Sequence, residues 1–290
     1  MQIPHVKLSV GRRICGYGFM AILVSPHKLM TFWIQAFWLG IILLNPSLSF
    51  AKDKWQQMKG QNFIINYRGG VPEYFVQTVM DSAEEEFKRV PGNLGISRYP
   101  NWMSDNKATI YIYSDETDYV SNGAPGWSHG AAMVGEKVIK TFPSAHGFFD
   151  STLPHELGHI IFREYVGVSA DVPLWFEEGM AMYQEKAKRL GVNKAVEEAI
   201  KNGQFIPLSK LTNVRLHSNS DENSVQLFYS ESASVVYFLI TELGEWNFHK
   251  LCRELKQNTP FAEALTKTYM RIRSFDDLNK MWMQHLEDHK

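Results

Sequence analysis

Residues 153–163 read LPHELGHIIFR, which places two histidines and a glutamate inside an otherwise apolar stretch. His155 and His159 are four positions apart, so a helix of about 3.6 residues per turn puts both imidazoles on one face, within reach of a single ion. Glu156 projects roughly 100° around that helix, where its carboxylate can reach a metal-bound water without ligating the metal. The H-E-x-x-H pattern is typical of two zinc-binding histidines and a general-base glutamate, and it predicts hydrolytic chemistry.

A third ligand is expected downstream, because a catalytic zinc ion takes three protein ligands and keeps its fourth position for water. The segment PLWFEEGMAMY, residues 173–183, can supply it from a second helix that returns antiparallel after a short turn. The Trp-x-x-Glu-Gly context favours Glu178 over its neighbour Glu177. We therefore predict one zinc ion per chain, bound by His155, His159 and Glu178.

Ligand histidines usually donate their second ring N–H to a carboxylate or a carbonyl group. Glu164 and Asp171 are the candidates for this contact, and the sequence alone does not choose between them. Gly158, inside the motif, permits a neighbouring element to approach closely.

The complete pattern, H-E-x-x-H followed after 18 residues by the glutamate of W-x-x-E-G, resembles the gluzincin group of zinc metallopeptidases. Within that group, HELGH, PLWFEEGMAMY and LFYSESASVVYFLITELG are most similar to the peptidase MA-like proteins, and the likeness runs from about residue 55 to 288. The resemblance implies a zincin-like α+β fold in residues 52–290. Its mixed-sheet N-terminal lobe, about 52–167, and its helical C-terminal lobe, about 168–290, would enclose a zinc cleft.

The resemblance also implies functional roles, with a peptide or protein as the substrate. Tyr229, in LFYSESAS, corresponds to the residue that stabilises the oxyanion, and SHGAAMV (128–134) to the edge strand that pairs with extended substrate. The G-x-M-E-N segment of aminopeptidases is absent, so the resemblance does not extend to exopeptidase specificity. Two alternatives stay open: a non-catalytic peptide-binding module on the same scaffold, and a tethered structural protein braced by zinc.

Hydrophobic periodicity separates strands in the first half of the chain from helices in the second, which predicts an α+β protein. Strands are expected at 62–67 and in KATIYIYSD, with a strand pair over 126–142, and a helix before the break at PGNLG. The motif helix is expected to have Asp150, Ser151 or Thr152 as its N-cap and to stop at Gly167. The later helices are expected at the following positions: 172–191, 194–202, 226–242, 246–257, 260–269 and 274–288.

The first 51 residues contain four basic side chains and no acidic one, followed by the apolar run TFWIQAFWLGIILL. This arrangement predicts an export signal cleaved after Ala51, with Ser49 and Ala51 at the −3 and −1 positions. A retained anchor is the alternative, although residues 31–44 are shorter than the roughly 20 needed to span a bilayer. We expect an exported protein that touches a membrane only through this segment, if it is retained. The net charge of −1, without a basic run, argues against nucleic acid as a partner.

Overall fold

The computed structural model describes residues 54–96, 106–123, 130–186, 192–215 and 221–288. These residues belong to a compact unit that spans Ser47–Lys290. The predicted signal segment, residues 1–51, lies outside the described residues. Within the described ranges, no helix has the length and apolar character needed to cross a bilayer.

Among the described residues, a five-stranded mixed sheet forms the first part of the unit, in the order β1-β2-β3-β5-β4. Parallel pairing joins β2 to β3 and β3 to β5, while β1 and β4 pair antiparallel at the two ends. The strands are β1 Trp55–Lys59, β2 Phe63–Arg68, β3 Ala108–Ile112, β4 Ala131–Met133 and β5 Val138–Thr141. The mixed sheet and the α+β class predicted from the sequence are confirmed.

Helices make up most of the rest of the unit. Their bounds are α1 Glu73–Leu94, α2 Glu116–Ser121, α3 Leu153–Val166, α4 Leu174–Gln184, α5 Val192–Lys201, α6 Leu208–Leu211, α7 Glu222–Thr241, α8 Glu245–Lys256, α9 Phe261–Thr268 and α10 Phe275–Asp288. Alternate residues of the central strands, such as Ile65 and Ile110, are fully buried, and Phe87 of α1 packs edge-on against Phe63. Helix α3, which carries the H-E-x-x-H motif, contacts α1, α4 and α8.

Two glycines let the helices around the motif approach closely. A Cβ at Gly158 would lie 3.2 Å from the Cα of Ala181, so α3 packs tightly against α4 at this point. A Cβ at Gly179 would lie 2.2 Å from the carbonyl oxygen of Ser232, where α4 crosses α7. The two crossings fix α4 between the motif helix and α7.

Two expected boundaries are wrong, and one expected side-chain cap is missing. Helix α1 continues past Pro91 to Leu94, and Gly95 follows it as the C-cap, with a positive φ of 57° and its N–H bonded to the carbonyl of Gly92. A short π-helix, Phe148–Thr152, leads directly into α3. Thr152, one of the expected residues, is the N-cap, but its backbone is already helical and its side chain does not cap the helix. Helix α4 ends at Gln184, well before the predicted residue 191, and Glu185 is extended. Strand β1 and the short helices α2 and α6 are not predicted from the sequence at all.

We expect Gly179→Ala to destabilise the protein, because the added methyl group would overlap the Ser232 carbonyl and force α4 away from α7. Overpacking of this kind costs about 1–3 kcal/mol. Urea unfolding measures it, with Gly92→Ala as the matched control, since a Cβ there meets nothing within 4 Å. Equal unfolding midpoints for the two variants would contradict this packing.

Candidate metal centre

The side chains of His155, His159 and Glu178 converge between α3 and α4. The two histidine Nε2 atoms are 3.1 Å apart, and the Oε2 atom of Glu178 lies 3.4 Å from the first and 3.5 Å from the second. Within the described part of the chain, these three residues form the one group of histidine, cysteine or acidic side chains arranged to hold a metal ion.

The dimensions of this triangle fit a tetrahedral zinc ion. Zinc–nitrogen and zinc–oxygen bonds are about 2.0–2.2 Å long, so neighbouring ligand atoms around a tetrahedral ion are about 3.3–3.5 Å apart. The measured separations of 3.1, 3.4 and 3.5 Å match that spacing. Two imidazoles and one carboxylate are also the donor set of hydrolytic zinc sites that keep a position for water.

Glu185 contacts the other ring nitrogen of His155. The Nδ1–H of His155 donates to Oε1 of Glu185 over 2.9 Å, and the Ser151 hydroxyl donates to the second carboxylate oxygen. This contact leaves Nε2 of His155 free to ligate, because it fixes the proton on Nδ1.

Glu177 occupies the equivalent place beside His159. Its Oε1 atom lies 3.6 Å from the His159 Nδ1 atom, and the Arg163 guanidinium donates to both Glu177 oxygens, with an Nε–Oε1 distance of 2.8 Å. Arg163 also donates to the carbonyl of Ala170, which ties the α3–α4 connection to this pair.

The sequence-based candidates for these contacts are wrong. Glu164 instead forms an ion pair with Lys137 at 2.6 Å, and Asp171 is exposed. Sequence reasoning misses Glu185 because it is 30 residues from His155 and reaches it only where α4 ends and the chain turns back toward α3. It marks Glu177 only as a rival ligand or a surface charge, since no spacing rule identifies a residue beside the third ligand.

Without a metal ion, the surrounding charges favour the charged forms of His159 and Glu178. Burial lowers the pKa of His159, but the carboxylates of Glu177 and Glu178, at 3.6 and 3.5 Å, outweigh it and raise the pKa to about 10. Burial raises the pKa of Glu178, but the neighbouring imidazoles of His155 and His159, at 3.4 and 3.5 Å, outweigh it and bring the pKa down to about 2. A metal ion entering the site must therefore displace a proton from His159.

Glu156 and Tyr229 are both close enough to Glu178 for its charge to act on them, and neither has a hydrogen-bond partner among the described residues. Burial raises the pKa of Glu156, against the lowering influence of the two histidines. Burial, followed by the charges of Glu178 and Glu156, raises the pKa of Tyr229 well above its ordinary value, so its phenol stays protonated. The structure thus provides an unpaired carboxylate and an unpaired hydroxyl donor near the three ligands.

The fold and the site thus define an α+β protein with a His-His-Glu group that could hold a metal ion. Residues 102–288 match the family model of the Peptidase MA superfamily. The chain belongs to that superfamily, as the resemblance of its motifs indicated. No curated protein matches the chain.

We expect the wild-type protein to bind one zinc ion per chain and Glu178→Gln to bind it at least about 100-fold more weakly, since a neutral amide is a poor zinc ligand. Competition with a chromophoric chelator measures the affinity. Glu164→Gln is the matched control, because this acid is also part-buried yet contacts no ligand. If both variants bind zinc as the wild type does, Glu178 is not the third ligand.

Zinc affinity should rise with pH between about pH 6 and pH 9. His159 is protonated in this range in the metal-free protein because its pKa is about 10, and it must lose that proton to ligate. Titration calorimetry in buffers of different ionisation enthalpy should show that at least one proton is released per zinc bound. An affinity that does not change with pH would contradict the protonated state of the metal-free site.

Proposed function

We propose that this protein is a zinc-dependent peptidase that hydrolyses peptide bonds in peptide or protein substrates. The observation that supports it best is the ligand triangle of His155, His159 and Glu178 with the unpaired Glu156 carboxylate beside it. Membership of the Peptidase MA superfamily supports the same reaction class.

The residues around the ligands suit the steps of hydrolysis. Bound zinc would polarise the scissile carbonyl and lower the pKa of a coordinated water to about 7. Glu156 accepts a proton from the water as its oxygen forms the new bond to the carbonyl carbon. Tyr229 donates its hydroxyl to the oxyanion that develops at the carbonyl oxygen. Glu156 then passes the proton to the leaving nitrogen as the C–N bond breaks.

Strand β4 suits the binding of an extended substrate. It pairs with β5 on one side and is the terminal strand of the sheet among the described residues. Its side chains Ala131 and Ala132 are small, and a Cβ at the preceding Gly130 would lie 2.4 Å from Thr152, in the turn that leads into α3. The edge of the sheet is therefore next to the motif helix, where a peptide added as a further strand would pass the ligands.

Export is part of the proposal and rests on the N-terminal sequence. The basic residues, the apolar run and the Ser49-Phe50-Ala51 site are typical of a cleaved signal. Mass spectrometry of the protein recovered outside the cytoplasm tests it. A chain beginning at Lys52 is expected, and an intact N-terminus would favour a retained anchor.

We expect Glu156→Gln to retain zinc but to lose about 100-fold or more of its peptide turnover, because the amide cannot accept the proton of the attacking water. A mixed peptide library read by mass spectrometry measures turnover whichever bond the enzyme prefers. Full activity of the zinc-loaded variant would refute the base assignment. If the zinc-loaded wild type cleaves nothing, a peptide-binding module becomes the better account.

We expect Tyr229→Phe to lower kcat about 10-fold or more with little change in KM, since the lost hydroxyl contacts only the developing oxyanion. Steady-state kinetics on a peptide from the library measures both constants. A higher KM with an unchanged kcat would show instead that Tyr229 contributes to ground-state binding.

A further inference from the structure

The hairpin formed by β4 and β5, residues 130–141, contains a lysine in a backbone conformation that favours glycine. Lys137 directly precedes β5 and has a φ of 54° and a ψ of 44°, where a Cβ atom is strained. A glycine could make the same turn without that strain. Residues held in such conformations are frequently kept for what their side chain does, so the contacts of this lysine indicate its role.

The Lys137 side chain connects the hairpin to the motif helix. Its ammonium forms an ion pair with Glu164 in the last turn of α3, with an Nζ–Oε1 distance of 2.6 Å. The backbone of Lys137 is bonded as well, since its carbonyl accepts from the Thr109 N–H of β3 over 2.8 Å and its N–H donates to Val134 over 3.1 Å. Lys137 is only 8% exposed, so its methylene chain is buried between the sheet and α3.

The other end of the hairpin meets the opposite end of the motif helix. Gly130, just before β4, packs so closely on Thr152 that a Cβ at Gly130 would lie 2.4 Å from the Thr152 Cγ2 atom. The helical segment from Thr152 to Glu164 is about 18 Å long at 1.5 Å per residue, and it contains both ligand histidines. The hairpin is therefore attached to α3 on both sides of the metal ligands.

The position of β4 depends strongly on these two attachments. The strand has three residues, pairs with β5 on one side, and is the terminal strand of the sheet among the described residues. Few ladder hydrogen bonds can hold so short a strand in place. The ion pair itself adds little to global stability, because the Glu164 side chain is 25% exposed and exposed pairs contribute little to the free energy of unfolding.

We propose that Lys137 is a positioning residue for the substrate. Its ion pair with Glu164 holds the outer edge of β4 at the distance from α3 at which an extended peptide, bound to β4, passes the metal ligands. The proposal rests on the proposed function and deepens it, because it assigns part of the binding of long substrates to a contact outside the metal centre.

Four variants test this proposal. Lys137→Met removes the charge and keeps an unbranched side chain, Glu164→Gln removes the charge of the partner, and the double variant shows whether the two act through one contact. Lys137→Gly suits the turn better than lysine, so it would leave KM unchanged if residue 137 served only the turn. Glu136→Gln is the matched control, since Glu136 is an exposed acid in the same turn.

We expect Lys137→Met to raise KM for a long library peptide about 3- to 10-fold at an unchanged kcat, because it removes binding shared by the ground state and the transition state. The shortest fragment still cleaved makes fewer contacts with β4 and should be affected less. Lys137→Gly and Glu164→Gln should behave alike, and the double variant should be no worse than either single variant. Zinc affinity, measured by chelator competition, should equal that of the wild type.

Several results would overturn the proposal. They are a wild-type KM for the long peptide in Lys137→Met or Lys137→Gly, equal losses on the long and short substrates, and additive losses in the double variant. A fall in zinc affinity in Lys137→Met would also contradict it, because the pair would then act through the metal centre. The same rise in KM in Glu136→Gln would show that any charge in the turn suffices.

Hydrogen exchange of the zinc-loaded protein separates the proposal from the peptidase assignment, because it requires no turnover. The amides of Ala131–Met133 should exchange faster in Lys137→Met than in the wild type, while those of α3 should be unchanged. A wild-type protein that cleaves no peptide would overturn the proposed function, yet faster exchange in β4 would still show that the ion pair holds the strand. Unchanged exchange in β4 would overturn the role of Lys137 in a protein that remains an active peptidase.

Discussion

The close approach of three ligand atoms, 3.1–3.5 Å apart between two largely apolar helices, is the constraint on which the rest of the structure depends. Two imidazoles and a carboxylate at that distance are costly to bury unless protons or a metal ion compensate their charges. The site can form only where α3 and α4 pack closely. Gly158 permits that contact, and Gly179 lets α7 fix α4 from its other side.

Each ligand histidine is supported by a different part of the molecule. His159 faces Glu177, which Arg163 holds within the α3–α4 pair, whereas His155 donates to Glu185 at the end of α4. The contacts of Gln184 and Lys186 with α1 connect the second support to the helix that covers the sheet. The sheet half of the unit thus contributes to a site whose ligands all lie on α3 and α4.

The parts of the site that depend on local spacing could be predicted from the sequence. The four-residue spacing of His155 and His159 requires only a helix, and Glu178 requires a second helix after a short turn. The contacts of Glu185 and Glu177 could not be predicted, because they depend on where α4 ends and how it is rotated against α3. Tertiary packing also overrides local signals elsewhere. Pro91 is buried inside α1, and a short π-helix stands where a side-chain cap of α3 was expected.

X-ray absorption at the zinc K edge of the zinc-loaded protein would test the central claim most directly, because it reports the ligands around the ion without requiring a substrate. The structure predicts nitrogen and oxygen neighbours at about 2.0–2.1 Å with the scattering of two imidazole rings. Sulfur neighbours at about 2.3 Å, or a shell with fewer than two imidazoles, would contradict the assignment of His155, His159 and Glu178 as the zinc ligands.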